Sequence, residues 1–108
     1  MDFYNQQKRN CFKPIASPII LNFSDCKYLG EVHLVLKNAF GFPAYYGENW
    51  DALWDCLDDR FCENERFTVE IHGFSSMPEE LCTYCSTMLD VFKEIQTKHT
   101  TVIFKHIS

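Results

Sequence analysis

Glycine and proline are scarce, four of each among 108 residues, and neither a low-complexity segment nor an internal repeat interrupts the chain. Such a composition excludes a collagen-like or disordered polypeptide. Long apolar runs are missing as well. None approaches the roughly 18 residues that cross a bilayer, and Met1 to Pro18 is polar where a secretory leader would be apolar. The expectation is a soluble cytoplasmic protein without a membrane role. Positive charge is in deficit: ten Lys and Arg against fifteen Asp and Glu give a formal net charge of −5, which argues against direct nucleic-acid binding. There is no glycine-rich phosphate loop, and Cys82-x-x-Cys85 has no second pair at zinc spacing, so no cofactor and no metal are expected.

What is present suits one domain. The chain is 46% hydrophobic and 16% aromatic, enough apolar volume for a single core at this length. Met1 to Pro18 lacks periodicity and reads as a tail, loose or lying along a domain that runs from residue 19 to 108. With no export signal, the six cysteines read as reduced thiols, several of them small core residues. For Cys82 and Cys85, packing inside a helix is favoured over a redox or zinc pair.

Ile19 to Phe23 reads as a buried strand. Leu29, Val32, Val35, Leu36, Ala39 and Phe40 fall at helical steps that Gly41 and Pro43 end. Trp50, Leu53, Trp54 and Leu57 define the apolar face of a second helix. Phe67, Val69 and Ile71 alternate with Thr68, Glu70 and His72, a pattern read as a half-buried strand near a sheet edge. Ser76 and Glu79 flank Pro78 in a capping-box pattern, ahead of a long helix carrying Leu81, Cys85, Met88, Phe92 and Ile95. Thr101 to Phe104 closes the chain as a strand. Helical crossovers between all strands predict an α/β fold with a small parallel sheet and right-handed connections.

Negative charge is concentrated. Between Tyr45 and Glu65 seven acids face one base, Arg60, a net −6, while the rest of the chain sums to +1. On a helix at about 100° per residue, Asp51, Asp55 and Asp58 form one stripe beside the apolar face. A solvated surface is the ordinary fate of such a run. Here, however, no Lys or Arg is interleaved on the stripe, and Asp55, Asp58 and Asp59 occupy the helix half where the macrodipole disfavours anions. Rules of local stability broken together mark a surface shaped for a cationic partner. Tyr45, Tyr46 and Trp54 beside the stripe are interface or core aromatics.

The run Phe42-Pro43-Ala44-Tyr45-Tyr46-Gly47-Glu48-Asn49-Trp50-Asp51-Ala52-Leu53-Trp54-Asp55-Cys56-Leu57 closely resembles the signature of the barstar family of bacterial ribonuclease inhibitors. The resemblance extends from about Ile20 to Asp59 and resumes, after a short insertion near Glu63 to Arg66, through Val69-Glu70 and Val91-Phe92-Lys93-Glu94 to the last strand. It implies a three-stranded parallel sheet packed with three to four helices, and a monomer that binds one to one in the active site of a basic, secreted, guanyl-preferring ribonuclease, as an immunity protein does. By the same resemblance Asp55 matches the central carboxylate that takes the place of a substrate phosphate, and Asp51 a second acid near the rim. Tyr45 matches the loop aromatic that packs on the nuclease's catalytic His. Gly47 and Asn49 match backbone and amide contacts, Trp54 a partly exposed indole, and Glu94 a further acid from the last helix. Arg60 stands where the family's best-known member has an aromatic.

Two rival functions would draw on the same residues. An enzyme or hard-metal site built on Glu48, Asp51 and Asp55 lacks the enclosing cleft that perturbs pKa values, so no catalytic residue is expected. A binding module for another basic toxin or a cellular protein would use the same acids, because one side of an interface does not name the other. His33, His72, His99 and His106 are scattered and receive no role.

Overall fold

A computed structural model describes residues 15–62 and 65–107. The elements follow the order strand, helix, helix, strand, helix, strand: β1 (Ile19–Asn22), α1 (Leu29–Phe40), α2 (Trp50–Arg60), β2 (Phe67–His72), α3 (Glu79–Lys98) and β3 (Val102–His106), with a 3₁₀ turn at Phe74–Ser76. The readings of residues 1–14 as part of a tail, of Cys11 as a thiol and of Glu63 and Asn64 as part of an insertion lie outside the described residues.

The sheet is three-stranded and parallel, in the order β1-β2-β3, with Ile19 opposite Val69 and Val69 opposite Phe104. β2 is therefore the central strand, which corrects the expectation of an edge. Its alternation reports one open sheet face rather than a missing neighbour: Val69 and Ile71 are buried with Ile19, Leu21 and Val102, while Thr68, Glu70 and His72 are half-buried and Ile20 and Ile103 are exposed on the other side. Ser17 extends the arrangement, its Oγ accepting from the Thr68 N–H at 3.0 Å.

The helices cover the buried face. Val32, Leu36 and Phe40 of α1, Leu53 and Leu57 of α2, and Cys85, Met88, Phe92 and Ile95 of α3 meet in one core. Gly41 ends α1 in the left-handed conformation, φ 67°. Gly73 is left-handed as well, and a Cβ there would lie 2.5 Å from the backbone nitrogen of Ser24, so only glycine fits. The capping box expected at Ser76 is absent. Ser76 belongs to the 3₁₀ turn, and α3 begins after Pro78 without a side-chain cap, with Glu79 and Glu80 in its first turn complementing the helix dipole.

The described cysteines are unpaired: Cys26 and Cys85 are buried, Cys56 and Cys82 half-buried and Cys62 exposed. Cys82 Sγ donates to the Phe74 carbonyl at 3.1 Å, and Cys85 lies in the core, so the Cys-x-x-Cys spacing serves packing.

Candidate interaction face

The loop between α1 and α2 is fixed from below by two aromatics. Phe42 stacks on Phe40 at a centroid distance of 5.4 Å, and buried Tyr46 brings its hydroxyl 2.7 Å from His33 Nδ1. Burial pushes the Tyr46 phenol well above its ordinary pKa, with Cys56 and Glu48 adding to the shift, so it stays a neutral hydrogen-bonding group. Tyr46 is thus core, and the interface alternative for it falls away. His33, which received no role from its sequence position, is 1% exposed and packs 4.8 Å from the Trp50 ring. With Phe42, Pro43 and Tyr46 buried, their neighbours turn outward: Tyr45 is 64% exposed, and Ala44, Gly47 and Glu48 are exposed too.

Asn49 is the N-cap of α2, its Oδ1 accepting from the Ala52 N–H at 2.8 Å. Gly47 has no steric need to be glycine, since an added Cβ would find only ordinary contacts, 3.7 Å from Ala52 Cβ and from Asn49 Nδ2. Beyond the cap, Leu53 and Leu57 are fully buried, Trp50 and Trp54 half-buried, and Asp51, Asp55 and Asp59 exposed. Cys56 lies between these acids and the core. Burial, then Asp59 and Asp55, push its thiol up to about 11, which keeps it protonated near neutrality.

α3 packs beside α2 and adds the second wall. Trp50, Asp51 and Trp54 from α2 and Thr87, Asp90, Val91 and Glu94 from α3 line an open groove of about 350 Å³. Of the candidate residues, the groove unites Asp51, Trp54 and Glu94, and Asp55 follows Asp51 by one helical turn. Tyr45, Gly47 and Asn49 occupy the loop that leads into α2. Asp90 was missed by the sequence reading, although its i, i+4 relation to Glu94 places both acids on one side of α3.

Asp58 differs from its neighbours on the stripe. Its Oδ1 lies 2.9 Å from Lys98 Nζ and 2.7 Å from His99 Nε2, at the far end of α3. Partial burial works to raise its pKa, but hydrogen bonds and charge from Lys98 and His99 prevail and hold it below the ordinary carboxylate value. The stripe is therefore not free of an offsetting cation, as its sequence implied; Lys98 supplies one from a distant helix end. Lys98 Nζ also sits 5.1 Å from the centroid of Trp54. Arg60 is half-buried, and burial lowers its pKa, while the adjacent Phe61 is a core residue.

The groove offers exposed carboxylates and a half-buried indole, and the loop leading into α2 adds an exposed tyrosine, groups suited to a basic partner. Among the described residues, no group of three His, Cys, Asp or Glu side chains could hold a metal ion. No helix among them is long and apolar enough to cross a membrane.

Residues 16–107 match the family model described as barstar (barnase inhibitor). The chain is 35% identical over 78 residues to a Bacillus subtilis (strain 168) protein named "Putative ribonuclease inhibitor YrdF", an alignment that covers 72% of this chain and 84% of that relative.

Proposed function

The chain belongs to the barstar family, and on that premise we propose that it inhibits a basic, guanyl-preferring bacterial ribonuclease by covering the enzyme's active site with the α1–α2 loop and the acidic face of α2. One observation carries this reading: Asp51 and Trp54 of α2 share an open groove with Glu94 of α3, with Asp55 exposed one helical turn after Asp51 and Tyr45 exposed in the loop that leads into α2.

The chemistry is that of substrate mimicry. A ribonuclease that cleaves a phosphodiester gathers Lys and Arg side chains around the phosphate. Asp55, projecting from mid-helix, enters that cluster as a carboxylate in place of the phosphate, and Asp51 and Glu94 meet cations farther out. Tyr45 supplies a rigid, low-entropy surface for the catalytic imidazole of the nuclease, and Trp54 extends the apolar contact. Gly47 lets a partner approach the loop backbone closely, and Asn49 holds the loop to the helix while presenting its amide. The inhibitor performs no chemistry itself. It acts as a monomer in a one-to-one complex in the cytoplasm of the producing cell, as an immunity protein that guards against a nuclease intended for export.

The test is titration of the purified protein into RNA-cleavage assays with barnase and several other bacterial guanyl-preferring ribonucleases. Stoichiometric loss of cleavage with at least one of them is expected. Full activity of every nuclease in the presence of excess protein contradicts the proposal.

A further inference from the structure

The interaction face has a charge pattern of its own. At one end Asp51, Asp55, Asp90 and Glu94 make no ion pair among the described residues. At the other end Lys98, the last residue of α3, crosses over to α2, with its Nζ 2.9 Å from Asp58 Oδ1 and 5.1 Å from the centre of the Trp54 ring. His99 holds the same carboxylate oxygen at 2.7 Å, so Asp58 has two internal partners and contributes little attraction to an incoming cation. Trp54 therefore lies between two unlike surroundings: the unpaired acids Asp51, Asp90 and Glu94 that share its groove, and the Lys98 ammonium that sits over its ring and is held by Asp58.

We propose that Lys98 is a specificity-determining residue of this inhibitor: its charge beside Trp54 favours nucleases whose Lys and Arg side chains fall opposite Asp51, Asp55 and Glu94, and it disfavours those that place a cation opposite Trp54. The proposal rests on the inhibitor reading above. Its physical basis is competition. An indole face attracts a cation, and here the chain already supplies one, so a partner's Lys or Arg must either displace Lys98 from Trp54 and Asp58 or approach it against like-charge repulsion. Displacement leaves Asp58 paired with His99 alone. A partner with a neutral or acidic group at that place meets neither cost. The Lys98 side chain is 53% exposed, so the discrimination is moderate and is screened by salt.

The experiment compares the parent with Lys98→Met, which keeps the stem over the indole and removes the charge, Lys98→Arg, which keeps the charge, and Lys98→Glu, which reverses it. Inhibition constants are measured for barnase and several further bacterial guanyl-preferring ribonucleases at low ionic strength and at about 0.5 M salt. Denaturant unfolding of each variant checks the fold. For at least one nuclease, Lys98→Met should tighten inhibition about threefold or more, Lys98→Glu should tighten it further, and Lys98→Arg should match the parent. The gain should differ among the nucleases and shrink in high salt. Parent-like inhibition of every nuclease by Lys98→Met and Lys98→Glu overturns the proposal and leaves the inhibitor reading standing, as does uniform weakening by both. Absence of inhibition by the parent and all variants overturns both.

Discussion

Acid should loosen this protein through a single buried imidazole. His33 is 1% exposed, its Nδ1 is engaged by the Tyr46 hydroxyl, and its Nε2 has no hydrogen-bond partner. Burial holds its pKa below the usual 6.5 against a smaller opposing pull from Glu48. Protonation in place would bury a charge and require Nδ1 to donate to the hydroxyl. The unfolded chain has no such restriction and binds the proton near its ordinary pKa. His33 therefore costs nothing well above pH 6.5 and destabilises the fold progressively below it, by at most about 1.4 kcal/mol per pH unit, or about 2 kcal/mol at pH 5. Asp58, whose pKa is lowered, contributes stability that is lost only at more acid pH, as its carboxylate protonates. Denaturant unfolding at pH 7 and pH 5, with the parent and His33→Gln side by side, separates His33 from the more exposed histidines. The parent should lose up to about 2 kcal/mol more than the variant over this interval. Equal losses refute the reasoning. Because His33 packs on Trp50 and Tyr46, the same acid step should weaken inhibition by disturbing the loop.

Other substitutions separate folding from binding. Asn49→Ala removes the cap of α2 and should cost about 1 kcal/mol in denaturant unfolding. Gly47→Ala meets only ordinary contacts inside the chain, so its melting temperature should stay near the parent's while inhibition weakens; a large drop in melting temperature would give Gly47 a structural role instead. A reducing agent should leave the melting temperature within a few degrees, because the described cysteines are unpaired whereas a disulfide contributes about 2 to 4 kcal/mol. Thiol titration of the denatured, unreduced protein should find all six groups free.

The helices were legible because each buries one side, and three- and four-residue spacing states which side. Gly41 also marked the end of α1 correctly. Strand order was not legible, since alternation along Phe67 to His72 encodes which face is open and says nothing about neighbours. The Ser76 pattern misled because a short tight turn and the fixed φ of Pro78 begin α3 without a side-chain cap. At the site, Asp51, Asp55 and Trp54 could be placed on α2 from spacing alone, and buried Tyr46 follows once the loop is folded. The ties of Asp58 could not be read: His99 is 41 residues away, and no local pattern encodes that contact. His33 carried a faint signal, lying four residues after Leu29 beside the apolar face of α1.

The central claim is that the exposed acids of α2 serve a partner rather than the fold, and Asp55 tests it most directly. Asp55→Ala removes an i, i+4 repulsion with Asp51 in the middle of α2 and introduces a better helix former. The free protein should gain stability, by less than about 1 kcal/mol. In the complex the same change leaves a desolvated cluster of nuclease cations without its counter-charge, which should cost at least about 2 kcal/mol, a weakening of well over tenfold. The measurement is the inhibition constant of Asp55→Ala against a ribonuclease that the parent inhibits, with unfolding of the same sample as its companion. A stable variant that inhibits poorly is the predicted result; a variant that inhibits as well as the parent contradicts the account.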